Sequence, residues 1–171
     1  MRDLGDLRWF LGIQVVRDRE KRQIWLSQDS YIENIAARFD LDQLNGSPST
    51  PMTSEQLQPN DEVANQAFTH LYQRKIGSII YAAVITRPDI ARTAAILSTF
   101  LTNPSNAHMT AANRCIQYLY GTRQLGIRYS GDTNSDTSEF AVYTDASFAD
   151  NLHDRKSSQG YLMTLFGGPI A

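Results

Sequence analysis

Leu71-Tyr72-Gln73-Arg74-Lys75-Ile76-Gly77-Ser78-Ile79-Ile80-Tyr81-Ala82-Ala83-Val84-Ile85-Thr86-Arg87-Pro88-Asp89-Ile90-Ala91 is the stretch on which the fold turns. Leu71, Ile76, Ile79, Ile80, Ala83 and Val84 recur at helical spacing, mostly on one side, which predicts a helix from Leu71 to Thr86. Pro88 stops it. The proline ring disfavours the helical region at Arg87, and its own fixed φ suits the first turn of a new helix. That second helix is expected to reach about Thr102. Asn103-Pro104-Ser105-Asn106 reads as a turn, and a third helix is expected from Ala107 to Tyr120, ending at Gly121.

Outward from these helices the pattern changes. Leu7 to Val16 is aromatic and β-branched, and a polar run from Arg17 to Gln23 separates it from Ile24-Trp25-Leu26. Two such runs around a charged turn predict a hairpin. Ser27 is placed to cap a helix from about Gln28 to Phe39, where Tyr31, Ile32, Ile35, Ala36 and Phe39 share a face. Residues 42–66 hold Pro48, Pro51 and Pro59 among small polar residues, the composition of a flexible acidic linker. After the helices come short strands at 126–129, 140–144 and 160–166. The expected class is α+β, in four segments: 1–41, 42–66, 67–130 and 131–171.

The chain has 171 residues, 42% hydrophobic and 20% charged, which excludes a wholly disordered or fibrous protein. No apolar run approaches the roughly 18–20 residues of a membrane span, and the start shows no secretory h-region. Cys115 is the single cysteine; it excludes an internal disulfide and fits a reducing compartment, cytoplasmic or nuclear. With three histidines and that one cysteine, a structural zinc site is not expected. The net charge of −2 hides an asymmetry. Residues 68–130 carry Arg74, Lys75, Arg87, Arg92, Arg114, Arg123 and Arg128 against Asp89 alone, between acidic flanks at 42–66 and 131–154. Such a basic middle is either a polyanion-facing surface or the solvated faces of ordinary helices.

Asp145 follows an apolar strand. A carboxylate there either holds Mg²⁺, which takes one or two carboxylates plus water and phosphate oxygens, or caps a turn. His108 and Arg114 either touch phosphate or are a helix-terminal histidine and a surface arginine. Cys115 reads as core. No Ser/His/Asp set, Walker loop or Rossmann fingerprint is present.

In order, Met1-Arg2-Asp3-Leu4-Gly5-Asp6-Leu7-Arg8-Trp9-Phe10-Leu11-Gly12-Ile13, Leu26-Ser27-Gln28-Asp29-Ser30-Tyr31-Ile32, the Tyr72–Tyr81 and Thr86–Ala91 blocks, Gln117-Tyr118-Leu119-Tyr120-Gly121-Thr122, and Asp145-Ala146-Ser147-Phe148-Ala149-Asp150 with Asp154–Tyr161 are collinear motifs. The whole chain resembles Ty1/copia-type retrotransposon reverse transcriptase running into the start of its RNase H domain. The resemblance implies that 1–41 ends the palm with a primer-grip hairpin and a first thumb helix. It implies a helical thumb and connection at 67–130, and an incomplete RNase H-like hairpin at 131–171. Phe10, Leu11 and Gly12 would then meet the primer strand, and Arg87, Arg92, Arg114 and Arg123 would contact phosphates. Asp145 would be the first RNase H carboxylate, a weak and incomplete Mg²⁺ site by itself.

The family's Tyr-x-Asp-Asp motif and later RNase H carboxylates are not among these residues, so this chain alone is expected to be inactive. Expected partners are an RNA–DNA or RNA duplex, an intact reverse transcriptase, or a second copy joined through an exposed edge at strand 160–166; no membrane is expected. The alternative is a non-catalytic nucleic-acid-binding or polymerase-interacting module derived from a retroelement.

Overall fold

A computed structural model describes residues 5–43, 46–131, 140–148 and 155–171. Met1 to Leu4, Asp150 and Asp154 lie outside the described residues. The fold is α+β. In chain order it runs β1 (Trp9–Phe10), β2 (Ile13–Asp18), β3 (Gln23–Ser27), α1 (Asp29–Arg38), α2 (Gln66–Ile85), a 3₁₀ turn (Pro88–Ile90), α3 (Ala91–Ser98), α4 (Asn106–Gly121), β4 (Ile127–Ser130), β5 (Ala141–Ser147), β6 (Ser158–Leu165) and β7 (Gly168–Pro169). One sheet has the order β1-β2-β3-β4 and the other β5-β6-β7. Contacts divide the chain into two units, Met1–Gln14 with Ser27–Gly126, and Val15–Leu26 with Ile127–Ala171.

The first unit is built on α2. Asn65 starts the helix earlier than the apolar pattern alone indicates, because its side chain accepts the Phe68 N–H at 2.8 Å. Pro88 ends α2, leaving Arg87 at φ −124°, ψ 65°. The next helix stops at Ser98, short of the expected Thr102. There the Ser98 and Thr99 hydroxyls bond back to the Ala95 and Ile96 carbonyls, both at 2.7 Å. Ser27 does not cap α1: it ends β3, its hydroxyl is directed at the Gln14 amide oxygen, and Gln28 stands at the cap position.

Ile32 and Ile35 of α1, Ile76 and Ile79 of α2, Leu97 of α3, and Cys115, Ile116 and Leu119 of α4 form one fully buried core. Each such side chain contributes about 1.5–3 kcal/mol by leaving water. Tyr72 crosses this core and donates to the Leu97 carbonyl at 2.8 Å. Burial pushes the Cys115 thiol up to about 12, so it packs as a small apolar residue.

Residues 46–65 carry no helix or strand but are tied to the helices. Asn103 donates to the carbonyls of Asn60 and Glu62 and accepts the Ala64 N–H, while Asn60 donates to the Pro104 carbonyl. Leu57 packs against the core.

In the second unit β5 pairs with β6 from Ala141 opposite Thr164 to Ser147 opposite Ser158. The expectation that 160–166 is an unpartnered edge needs correcting at its C-terminal end: Met163 to Leu165 gain a partner, while Gly160 to Leu162 pair with β5 alone among the described residues. Phe166 and Gly167 both take positive φ (54° and 77°) and fold the chain back, so Thr164 faces Pro169 and Leu165 faces Gly168. Adjacent positive-φ residues match the twist of an antiparallel pair. Gly168 packs so closely on the Tyr129 ring that a side chain there would collide with it.

His108 shows how tightly the helical unit is specified. Its Nδ1 accepts the Ser105 N–H at 2.9 Å, Ser105 Oγ accepts the His108 N–H, and Nε2 donates to the Gln58 carbonyl at 2.8 Å. Phe100 stacks on the ring at 3.8 Å. An accepting Nδ1 requires the neutral ring, and burial pulls the pKa below its usual 6.5 despite the Gln58 bond. The folded value thus lies below the unfolded one. Stability from this site is complete above about pH 6.5 and falls as pH drops toward the folded value, because the unfolded chain takes up a proton that the folded chain refuses. Thermal melts at pH 7.5 and 5.5 should show a larger acid loss for the natural chain than for His108→Gln; equal losses would contradict this protonation assignment.

Candidate nucleic-acid interface

The stretch 7–16, expected as one arm of a hairpin, is itself a hairpin. Trp9 pairs with Gln14 and Phe10 with Ile13, leaving Leu11-Gly12 as the turn. Both take left-handed φ, 50° and 78°. Such a turn usually holds Asn-Gly or Asp-Gly, so leucine at its first position hid it. Phe10 and Leu11 are exposed, Leu11 by 72%. Phe10, Leu11 and Gly12 thus sit together at one tip. The tip is not loose: Tyr81, on α2, donates its hydroxyl to the Leu11 carbonyl at 2.6 Å.

Beside it, α2 presents Gln73, Gly77, Ile80 and Val84 to solvent at spacings of four, three and four. Val84 is 76% exposed, and no atom lies near where a Gly77 side chain would be. No acid occurs anywhere in α2, α3 or α4. This row was not singled out from the sequence, although a signal was there: Ile76, Ile79, Ile80, Ala83 and Val84 are more apolar residues than one buried face takes.

The four expected phosphate contacts separate. Arg92 is exposed on α3. Arg114, on α4, donates to the Thr50 hydroxyl at 3.0 Å. Arg123 is paired with Asp29 and Glu33, both at 3.2 Å, and lies over the Tyr120 ring. Arg87 is the correction: it is 1% exposed, makes a two-pronged bond to Asp89 at 2.9 and 2.7 Å, and donates to the Thr122 carbonyl and hydroxyl. Its guanidinium is turned into the fold and offers nothing to a phosphate. Tyr118 completes the cluster, donating to Asp89 at 2.9 Å with its ring near the guanidinium. Partial burial raises the Asp89 pKa, but the Arg87 bonds and charge outweigh it and hold the carboxyl below its usual value. Lys75 is also buried, bonded to the Asn113 amide oxygen, and burial lowers its pKa. The cations toward solvent in this unit are Arg8, Arg38, Arg74 and Arg92, with Arg114 half-buried.

Asp145 lies inside β5 opposite Gly160, exposed, so it is a strand residue and not a turn cap. No group of three metal-ligating side chains surrounds it among the described residues. It supplies one carboxylate, and Mg²⁺ there would need its remaining ligands from water, phosphate or other residues. Among the described residues no helix is long and apolar enough to cross a membrane.

No protein-family model matches the chain, and no solved structure does. Among curated proteins, a retrovirus-related Pol polyprotein from transposon TNT 1-94 of Nicotiana tabacum is 40% identical over the whole chain, which spans 13% of that polyprotein. The secreted RxLR effector protein 161 of Plasmopara viticola is 35% identical over 58% of the chain and 68% of its own length. A putative transposon Ty5-1 protein of Saccharomyces cerevisiae is 30% identical over 99% of the chain and 54% of its own length.

Arg87 and Arg92 should separate in mutagenesis. Arg87→Met is expected to lower stability by about 2–3 kcal/mol, less than the ~3–5 of a fully buried pair because Asp89 keeps contact with water. Arg92→Ala should leave stability within about 0.5 kcal/mol. Denaturant titration of both variants measures this; equal losses would contradict the buried cluster.

Proposed function

We propose that this chain, which belongs to the retrovirus-related Pol polyproteins of Ty1/copia-type transposons, is the reverse-transcriptase segment that lies against the template–primer duplex and continues into the start of RNase H. The carrying observation is the Leu11-Gly12 turn held by hydrogen bond to a helix without acidic side chains. A nucleic-acid duplex repels carboxylates and is gripped by sparse cations and close backbone approach. α2 offers that surface: a bare Gly77, small and apolar neighbours, and Arg74 in the same helix. Asp89, the one acid between 68 and 130, is neutralised by Arg87. On this reading polymerisation and RNA cleavage are two-metal phosphoryl transfers whose carboxylates come mainly from other parts of the polyprotein. This segment positions the duplex, and Asp145 contributes to the RNase H set.

The reading fits the tobacco polyprotein, in which the matching segment is a small part of a long chain. One observation favours the second reading, a non-catalytic binding or polymerase-interacting module: in the Plasmopara effector the matching region is two thirds of the protein.

These 171 residues by themselves should bind an RNA–DNA hybrid weakly and without sequence preference. If Arg74, Arg92 and Arg114 of the helices make the phosphate contacts, the log–log salt slope should be about −2 to −3. They should not extend a primer on an RNA template in Mg²⁺. Fluorescence anisotropy with a labelled hybrid and a primer-extension assay test both. A salt-independent signal, or template-dependent extension, would overturn the duplex-positioning reading. Slowing of an intact element polymerase by excess chain, at unchanged hybrid binding, would favour the module.

A further inference from the structure

The Leu11-Gly12 turn poses a problem that its own residues do not solve. Leu11 occupies the left-handed region at φ 50°, which a leucine side chain disfavours, and that side chain is largely in water. Neither packing nor intrinsic preference holds the turn in place. At the turn itself a contact from outside the hairpin comes from Tyr81, seventy residues along the chain, whose hydroxyl meets the Leu11 carbonyl at 2.6 Å.

Tyr81 is itself held. The Tyr31 ring of α1 meets it edge to face, with centroids 4.9 Å apart and planes at 62°. Tyr31 in turn donates its hydroxyl to the Ser78 carbonyl of α2 at 3.2 Å. A chain of contacts therefore runs from α1 to α2 to the hairpin tip, all within the helical unit. Both rings are half-buried, so the Tyr81 phenol has a fixed base and a hydroxyl aimed outward at one backbone oxygen. Strain kept at an exposed residue and balanced from elsewhere is a feature of sites whose geometry matters.

We propose that Tyr81 is a positioning residue: its hydroxyl sets the Leu11-Gly12 turn at the angle needed to receive the end of a primer strand paired to RNA. This rests on the duplex reading above and adds to it the residue that aims the contact element. Tyr81 need not touch nucleic acid. It acts through the Leu11 carbonyl, so its loss should affect recognition of a strand end more than general affinity for a duplex.

Tyr81→Phe removes one hydroxyl and keeps the ring on Tyr31. The full 171-residue chain and this variant are compared by amide hydrogen exchange over residues 9–14, and by anisotropy with two fluorescein-labelled RNA–DNA hybrids of equal length. One hybrid has a recessed DNA 3′ end and the other is blunt. The expected result is faster hairpin exchange and about fivefold weaker binding to the recessed end, the scale of one neutral hydrogen bond, with blunt-end binding unchanged and exchange in α4 unaltered. Adding Leu11→Asn, which tolerates left-handed φ, should slow the hairpin exchange again.

Unchanged hairpin exchange in Tyr81→Phe overturns the proposal, as does an unchanged preference for the recessed end despite a loosened hairpin. Failure of Leu11→Asn to restore slow exchange shows that the hydroxyl acts elsewhere, which also overturns it. Failure of the underlying duplex reading looks different: the natural chain then binds neither hybrid. That result removes the primer-end role, while the exchange comparison still decides whether Tyr81 holds the turn.

Discussion

The helical unit depends on the buried guanidinium of Arg87. Pro88 breaks the backbone between α2 and α3, and Arg87 is the residue left between them with its charge inside the protein. A buried charge is costly unless its donors are satisfied. Here Asp89 takes two of its five N–H donors and the Thr122 carbonyl and hydroxyl take two more, so the break after α2 is joined to the end of α4. Tyr118 reaches Asp89 from one turn earlier in α4. The same few atoms fix where α2 stops, where α3 starts, and where α4 ends.

That arrangement also has an electrostatic consequence. Asp89 is the only acid between 68 and 130, and its carboxylate is bound by a guanidinium and a phenol. What remains toward water on α2, α3 and α4 is apolar, neutral polar or cationic, with no acid. The field is weaker than a count of bases suggests, because Arg87 and Lys75 are buried and Arg123 is paired. On the proposed duplex-positioning reading a modest field would let a duplex advance, since each neutralised phosphate adds steeply to affinity.

What could be read from the chain and what could not divides along the range of the interactions. The break at Pro88 follows from local rules and stands where expected, and the strand expected at 126–129 stands one residue on, at Ile127–Ser130. The α4 start, expected at Ala107 after the Asn103–Asn106 turn, stands at Asn106, where Ser105 and His108 form a capping box with histidine in the place glutamate or glutamine usually takes. The hairpin at 11–12 was missed because its turn is Leu-Gly, and the left-handed leucine is held by a residue seventy positions away. The Phe166-Gly167 turn hid the partner of β6 in the same way. Residues 46–65 carry linker composition, yet Asn103 ties them to the helices, and no local rule announces that bond. Among the arginines, sequence shows charge but not burial: Arg87 and Arg92 are indistinguishable by composition and opposite in the fold.

The two units differ in how far their own residues satisfy them. The helical unit has a continuous dry core with neutral His108 and buried Cys115 among its members. β5 and β6 are nearly all exposed, with Val142, Tyr143, Tyr161 and Leu162 in water. A sheet with this many exposed apolar residues gains little from burial, whereas four helices around isoleucines and leucines gain much. A segment with its own dry core does not need a neighbour to bury its apolar side chains, and here that segment is the helical unit closed by Arg87.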